Sequence, residues 1–164
     1  GRRGADIDLC NNLGVHRCSG SRMFWFDKAN PVAVFGDIRS ESHILCDGRR
    51  LDVRPDIQMD FTDIPFDDAS FRLVVFDPPH LNVVGNGYMS KKYGKLTGDW
   101  RGMLQQGFAE CLRVLMPGGV LIFKWCEVQI PTAEILKLCP IKPLFGHRSG
   151  KRSDTHWVCF IKAD

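Results

Sequence analysis

Residues 71–80 read Phe-Arg-Leu-Val-Val-Phe-Asp-Pro-Pro-His, and they predict a buried strand followed at once by a stiff, polar loop. The first six residues are apolar apart from Arg72, which is typical of a strand inside a sheet. Pro78 and Pro79 end the strand, because proline has no N–H to donate to a sheet ladder. Asp77 is therefore expected at the carboxyl end of a buried strand, in a loop that His80 completes.

Short apolar runs on both sides of this strand alternate with turns and helical patterns. Apolar spacing predicts a helix over residues 100–115, ended by Pro117-Gly118-Gly119, and a short helix over residues 132–138. The other predicted strands are residues 32–35 (ending at Gly36-Asp37), 56–60, 120–123, 144–145 and Thr155–Ile161. Strands that alternate with helices pair in parallel and carry helices on both faces. We therefore expect an α/β fold, a three-layer sandwich whose sheet is mostly parallel and ends in an antiparallel hairpin.

The composition is that of one globular domain. The chain has 164 residues, of which 44% are hydrophobic and 25% charged. We expect a single domain over residues 1–164, with residues 1–12 set aside as a tag remnant or a disordered segment. No apolar run reaches the roughly 18 residues that a membrane-spanning helix needs, and no secretory signal is visible. No membrane partner and a cytoplasmic location are the corresponding expectations.

The seven cysteines favour reduced, buried thiols over disulfides or a metal site. Their number is odd, no C-x-x-C pair occurs, and several lie in apolar stretches, where free cysteine behaves as a small hydrophobe. The candidate zinc set of Cys10, His16, Cys18 and Cys46 lacks a typical ligand spacing, so no metal is expected. The net charge of +3 is compatible with a nucleic-acid partner without requiring one.

Asp77 and the loop after it suit chemistry on an amino group attached to an aromatic ring. Such a nitrogen is a poor nucleophile, because its lone pair is delocalised into the ring. A carboxylate and a backbone carbonyl can accept hydrogen bonds from both N–H groups, and they stabilise the positive charge that develops as the nitrogen attacks. Asp77 supplies the carboxylate, Pro78 the carbonyl, and Pro79 stiffness, while the flat ring of His80 stacks on a base or hydrogen-bonds its edge. A plain Pro-Pro turn is the alternative.

The tetrapeptide Asp77-Pro78-Pro79-His80 resembles the (D/N/S)-P-P-(Y/F/W/H) signature of Rossmann-like amino methyltransferases that modify adenine N6 or cytosine N4. Residues 59–71 (MDFTDIPFDDASF) and 112–121 (LRVLMPGGVL) resemble the segments that precede and follow the catalytic strand in that family. Residues 19–28 (SGSRMFWFDK) and 143–151 (PLFGHRSGK) are similar to stretches of small phage and prophage methyltransferases. The resemblance implies one methyltransferase domain with a seven-stranded sheet and one antiparallel strand.

The resemblance also implies S-adenosylmethionine as the cofactor, with a site that can be assigned residue by residue. The glycine-rich loop that passes under the methionine moiety would be Cys18-Ser19-Gly20-Ser21, where Gly20 permits close backbone approach. Asp37 would accept hydrogen bonds from the ribose hydroxyls, Asp60 would receive the adenine amino group beside Phe61, and Asp77 would adjoin the cofactor. The strand expected before the loop, residues 13–18, is a weak strand pattern because a histidine and an arginine interrupt it. Solvated carboxylates at strand ends are the alternative for Asp37 and Asp60.

Two basic stretches are candidates for binding the substrate. Both would project from the carboxyl edge of the sheet, where lysine and arginine side chains can neutralise nucleic-acid phosphates. The candidate residues are Lys91, Lys92, Tyr93 and Lys95 after the Asp77 loop, and Arg148, Lys151 and Arg152 in the terminal hairpin. Ordinary polar loops are the alternative.

These expectations combine into an S-adenosylmethionine-dependent transfer of a methyl group to an exocyclic amino nitrogen of a DNA or RNA base. Adenine N6 is favoured over cytosine N4. The chain leaves no room for a separate target-recognition domain, so a homodimer or a partner subunit is considered alongside nucleic acid. The alternatives are a protein glutamine or a small amine as the methyl acceptor, or an inactive cofactor-binding subunit of a heterodimer.

Overall fold

The computed structural model describes residues 14–17, 22, 24–44, 48, 50–83, 95–150 and 154–164. In chain order its elements are β1 (Gly14–Arg17), β2 (Ala33–Asp37), β3 (Glu41–Ile44), β4 (Arg50–Val53), β5 (Ile57–Gln58), β6 (Phe71–Phe76), α1 (Trp100–Val114), β7 (Leu115–Cys126), α2 (Thr132–Leu136), β8 (Phe145–Arg148) and β9 (Thr155–Ile161). None of the helices in this part of the chain is long and apolar enough to cross a membrane.

Seven strands form one mixed sheet in the order β5-β2-β1-β6-β7-β9-β8. The first five strands in this order pair in parallel, whereas β9 pairs antiparallel with both β7 and β8. The predicted α/β class and the terminal antiparallel hairpin are thus confirmed. The third layer stays a prediction, since the described residues include two helices.

The central strand β1 comes from the weakest strand pattern in the sequence. Its four residues, Gly14–Arg17, pair in parallel with β2 on one side and with β6 on the other. Ladder hydrogen bonds on both edges stabilise a strand that residue preferences alone would not, because strand propensity depends strongly on neighbours. The tag remnant or disordered segment predicted over residues 1–12 lies outside the described residues, as does residue 13.

Several predicted boundaries were wrong, each for an identifiable reason. The strand predicted over residues 56–60 is paired only at Ile57–Gln58, where it meets β2. The strand predicted at 120–123 begins earlier, at Leu115, because Leu115 already pairs with Phe71 before a register shift carries Val120 opposite Leu73. Residues 117–119 therefore form an irregular segment within β7 instead of a separate turn. The antiparallel pair β3–β4 had no predicted counterpart.

Arg113 of α1 connects the two sequence segments that flank β6. Its guanidinium donates to the carbonyl oxygens of Ile64 and Phe66, each at 2.8 Å, and it pairs with the carboxylates of Glu110 and Asp68. Glu110 is buried and also accepts a hydrogen bond from the backbone N–H of Ile64 at 2.8 Å. This network holds the chain between β5 and β6 against the helix.

Helix α1 packs on β6 and β7 through a cluster of aromatic rings. Its N-cap is Asp99, whose side chain accepts from the backbone N–H of Gly102 at 3.0 Å. The ring of Phe108 lies 5.5 Å from that of Phe76 and 4.9 Å from that of Phe123. The core therefore lies between α1 and the carboxyl halves of the two strands that end nearest Asp77.

Gly107→Ala is expected to destabilise the domain, because the helix approaches two aromatic rings at this position. An added Cβ would lie 2.7 Å from Cδ2 of Phe61 and 2.9 Å from Cζ of Phe76. Overpacking of this kind costs about 1–3 kcal/mol, which exceeds the helix-propensity gain of roughly 1 kcal/mol for alanine over glycine. Chemical denaturation measures the difference, and Gln105→Ala on the exposed side of the helix is the control. An unchanged free energy of unfolding would show that the rings move aside.

Candidate active site

The loop of residues 77–80 lies at the carboxyl end of β6. Because β6 runs parallel between β1 and β7, its last residue, Phe76, is level with the carboxyl end of β1 and with Phe123 of β7. Ligands of doubly wound sheets bind at this edge. Pro78 is buried, whereas Asp77, Pro79 and His80 are half-buried. The loop is thus anchored while its polar side chains keep access to solvent.

Asp77 forms an ion pair with Lys124 of β7, whose Nζ atom lies 3.0 Å from Oδ2 of the carboxylate. The side chain of Lys124 is 24% exposed and that of Asp77 is 18% exposed. Desolvation raises the pKa of Asp77 to about 6, and the charge of Asp37 adds to the rise, while Lys124 opposes both by its charge and its hydrogen bond. The carboxylate is therefore ionised at neutral pH but titrates just below it.

Two aromatic rings surround the ammonium group of Lys124. Its Nζ atom lies 5.0 Å from the ring centroid of Phe24 and 5.8 Å from that of Trp157, and these rings meet edge to face at 5.0 Å. Contacts of an ammonium group with aromatic faces are attractive within about 6 Å. The indole N–H of Trp157 donates to the hydroxyl of Ser149 at 3.0 Å, which fixes the orientation of the ring.

His80 is a neutral imidazole at physiological pH. Desolvation lowers its pKa to about 4, and the positive charge of Lys124 contributes to the lowering. Its ring stands edge-on to the buried Trp125, with centroids 6.3 Å apart. A neutral imidazole offers one donor and one acceptor nitrogen.

A cavity of about 240 Å³ brings the sequence-predicted residues of three separate segments together. It is lined by Asp37, Ile38, Arg39, Met59, Asp60, Phe61, Pro79, Lys95, Thr97 and Met103. Asp37 ends β2, Asp60 and Phe61 follow β5, and Pro79 belongs to the loop after β6. Two carboxylates and an apolar wall meet in this space, and the Asp77 loop contributes to its boundary.

The guanidinium of Arg39 donates hydrogen bonds to both carboxylate oxygens of Asp37. The side chain of Asp37 is 1% exposed, and it accepts from the backbone N–H of Arg39 at 2.9 Å and from the guanidinium at 3.1 Å on each oxygen. Four lone-pair positions on a carboxylate allow further donors beside these. A ligand hydroxyl at Asp37 would share the carboxylate with Arg39 or displace it.

Asp60 is more open. Its Oδ1 atom accepts from the backbone N–H and the hydroxyl of Thr62, each at 2.8 Å. Within the part of the chain that the structure describes, Oδ2 has no hydrogen-bond partner. Phe61 is buried against Phe76, with ring centroids 5.5 Å apart, so it forms a wall of the cavity and is not an exposed platform.

Of the predicted substrate-binding residues, the structure describes Lys95 and Arg148. Lys95 is exposed and lines the cavity that contains Asp37 and Asp60. The next residue, Leu96, donates its backbone N–H to the carbonyl of Leu81 at 2.8 Å, and this bond holds Lys95 close to the Asp77 loop. Arg148 is exposed at the end of β8 and pairs with Asp154 at 3.5 Å. The remaining assigned residues lie outside the described residues: Cys18, Ser19, Gly20, Ser21, Lys91, Lys92, Tyr93, Lys151 and Arg152.

Lys124 and Arg39 belong to the candidate site but were not identified from the sequence. Lys124 interrupts an otherwise apolar run, Val-Leu-Ile-Phe-Lys-Trp, at the carboxyl end of its strand. Charged residues are rare in buried strands, so a lysine at the carboxyl end of this one could have been identified from the sequence as a candidate site residue. In the described ranges no group of three or more His, Cys, Asp and Glu side chains is placed to hold a metal ion.

No family model and no curated protein sequence matches the chain. Its fold, however, is similar to the folds of several solved methyltransferases. The N-methyltransferase NodS from Bradyrhizobium japonicum is similar with a TM-score of 0.54 and 11% identity, over 96% of this chain and 91% of that one. A Burkholderia thailandensis 1,6-didemethyltoxoflavin-N1-methyltransferase, solved with S-adenosylhomocysteine, has a TM-score of 0.52 and 12% identity, over 96% and 74%. A Haloferax volcanii methyltransferase solved with the Trm112 activator has a TM-score of 0.53 and 12% identity, over 94% and 84%.

Proposed function

We propose that this chain is an S-adenosylmethionine-dependent methyltransferase that modifies an exocyclic amino nitrogen of a nucleic-acid base, with adenine N6 favoured over cytosine N4. One observation carries the proposal: Pro79 of the Asp77 loop lines the same cavity as Asp37 and Asp60. The residues suited to the acceptor amino group and those suited to a nucleoside thus adjoin each other at the carboxyl edge of the sheet.

The described residues suit the nucleoside half of S-adenosylmethionine. Asp60 has a free carboxylate oxygen for an adenine amino group, Phe61 and Met103 supply apolar walls, and Asp37 would accept from ribose hydroxyls. The cofactor supplies an electrophilic methyl group on a sulfonium. Residues 18–21 are proposed to hold its methionine moiety.

Asp77 and Pro78 are proposed to hold the acceptor nitrogen. A base amino group has a pKa far above anything a carboxylate can deprotonate, so no general base acts before the attack. The carboxylate of Asp77 instead accepts one N–H bond and the Pro78 carbonyl accepts the other. Both bonds would strengthen as the nitrogen takes the methyl group from the sulfonium, whose S–C bond breaks, and becomes tetrahedral and positively charged; one N–H proton would then pass to water. His80, as a neutral ring, stacks on the base or bonds its edge.

The ion pair between Asp77 and Lys124 affects which kinds of amine the site can methylate. An aliphatic amine is a cation at neutral pH, so it must lose a proton before it can attack, and the ammonium of Lys124, 3.0 Å from Asp77, already balances the charge of the carboxylate that would bind it. A base amino group is uncharged and meets no such penalty. The site therefore favours a base over a small aliphatic amine, while a protein glutamine amide, also uncharged, remains the second candidate acceptor. Desolvated, charge-paired carboxylates are typical of reactive sites, which favours an active enzyme over an inactive subunit.

Nucleic acid is the proposed partner, with Lys95 and Arg148 as phosphate contacts among the described residues. A homodimer or partner subunit that adds target recognition is also proposed. The Haloferax volcanii neighbour was solved with an activator, which is a precedent for such an arrangement within this fold. A cytoplasmic location accords with the free thiols of Cys126, Cys139 and Cys159.

Incubation with DNA, RNA and glutamine-containing peptides in the presence of S-adenosylmethionine tests the proposal. We expect mass spectrometry of digested nucleosides to show one added methyl on adenosine or deoxyadenosine, or on the corresponding cytidine. Asp77→Ala protein, prepared in parallel, is the control for contaminating activity. Methyl transfer to the peptide alone would replace the base with a glutamine amide as the acceptor, and no transfer to any of them would contradict the proposed function.

A further inference from the structure

We propose that Lys124 is a positioning residue of the methyl-acceptor site, where its ammonium group keeps Asp77 ionised and directs one carboxylate oxygen toward the acceptor. This inference rests on the proposed function insofar as Asp77 receives the amino group. It concerns a residue of a different strand, 47 positions away in the chain.

Strand register places the two side chains together. Phe76 of β6 is level with Phe123 of β7, and the rings of both pack with Phe108 of α1. Side chains alternate between the faces of a sheet, so the next residues, Asp77 and Lys124, point away from that helix. The parallel pairing that forms the sheet thus sets the lysine beside the carboxylate.

The two carboxylate oxygens of Asp77 differ in their hydrogen bonding. Oδ2 accepts from Nζ of Lys124 at 3.0 Å. Among the described residues Oδ1 has no hydrogen-bond partner, so it is available to an N–H group of the acceptor. Because the lysine holds one oxygen, the carboxyl group cannot rotate freely, and the direction of the other oxygen is set before the substrate arrives.

The lysine is itself held in place. Phe24 and Trp157 lie 5.0 and 5.8 Å from Nζ, and Trp157 is opposite Lys124 in the antiparallel β7–β9 register. The hydrogen bond from Trp157 to Ser149 fixes that ring. An ammonium group restrained by two rings and a carboxylate loses little further freedom when a ligand binds.

Lys124 is the nearby cation among the described side chains that face Asp77. Asp37, at the end of β2, raises the pKa of Asp77 although it is itself paired with Arg39, and His80, in the same loop as Asp77, is neutral at physiological pH. On β9 the titratable His156 contacts a different carboxylate, since its Nε2 atom lies 2.7 Å from Oε1 of Glu127. Loss of the lysine would therefore leave a desolvated carboxylate beside another carboxylate, and its pKa would rise above the present value of about 6.

The pH dependence of methyl transfer tests the inference with Lys124→Met, which keeps the length of the side chain and removes its charge. Ionised Asp77 accepts a stronger, charge-assisted N–H bond than its protonated form and stabilises the positive charge that develops on nitrogen, so activity rises as the pH rises through the pKa of Asp77. We expect the acid limb of kcat/KM to lie near pH 6 in the parent and at higher pH in the variant. The variant should be roughly tenfold slower at pH 6.5 but within about threefold of the parent at pH 8.5.

Lys124→Arg should restore most of the parent's profile, because it restores the charge. Lys142→Met removes an exposed lysine and should leave the profile unchanged. A loss that is equal at every pH, or Lys124→Arg acting like Lys124→Met, would overturn the inference and indicate a role in packing alone.

A second measurement keeps the inference separate from the proposed function. Carbon NMR of the Asp77 carboxyl group, assigned by the loss of its signal in Asp77→Asn, reports the titration without any substrate. The midpoint should move to higher pH in Lys124→Met, or in Lys124→Gln if the methionine variant does not fold. An unmoved midpoint overturns the inference even if the enzyme methylates bases, and a moved midpoint supports it even if the acceptor proves to be a different amide.

Discussion

Asp77→Ala should reduce kcat for methyl transfer by roughly 10²–10³, the usual loss when one preorganised electrostatic partner is removed from a reacting centre. The hydrogen bond to the amino group grows toward the transition state, so its loss appears mainly in kcat and only slightly in cofactor affinity. Single-turnover methyl transfer with the cofactor saturating measures this effect directly.

Two further variants separate chemistry from folding. Asp77→Ala leaves Lys124 without its ion-pair partner, so thermal unfolding must accompany the kinetics. Asp77→Asn keeps an acceptor oxygen in the same place and should retain more activity than the alanine variant. Asp67→Ala, an exposed aspartate in the preceding loop, should behave as the parent. A rate for Asp77→Ala within a few-fold of the parent would mean that residues 77–80 form only a turn.

Asp37→Ala should weaken binding of S-adenosylmethionine by about ten- to a hundred-fold, which corresponds to a charged hydrogen bond worth about 1.5–3 kcal/mol. The expectation rests on the place of Asp37 at the end of β2, in the cavity that it shares with Asp60. Isothermal titration calorimetry with the cofactor measures the change.

Arg39 must be considered in that experiment, because its guanidinium is bonded to Asp37. Arg39→Ala is the matched variant: it leaves the carboxylate in place and removes the competing donor. We expect its affinity for the cofactor to equal or exceed that of the parent. If Asp37→Ala binds the cofactor as tightly as the parent, the assignment of Asp37 to the ribose is wrong, and its carboxylate serves only to hold Arg39.

Much of the fold was predictable because the signals are local. Residues 71–76 are a buried strand by composition, and the two prolines after them end it at the observed residue. The apolar spacing of residues 100–115 predicted α1 to within one residue. The family resemblance assigned Asp37 and Asp60 to one cofactor site, and both residues line the same cavity.

Other features had no local signal. The β3–β4 pair and the early start of β7 at Leu115 depend on partners elsewhere in the chain. Strand β1 is stabilised from both sides, which compensates for its poor pattern. Phe61, expected beside a ligand ring, is also part of the core because the absence of a side chain at Gly107 lets α1 approach it.

The sequence by itself determined the α/β class, the site edge of the sheet and the presence of a carboxylate in a proline-stiffened loop after β6. These follow from hydrophobic periodicity and from residues whose backbone limits are intrinsic, such as proline. Only the tertiary structure decided that Lys124 bonds Asp77, that two aromatic rings hold the lysine, and that the pKa of Asp77 rises to about 6. The physical reason is that pairing across strands depends on register, and desolvation depends on every element packed around the group, neither of which a linear pattern contains.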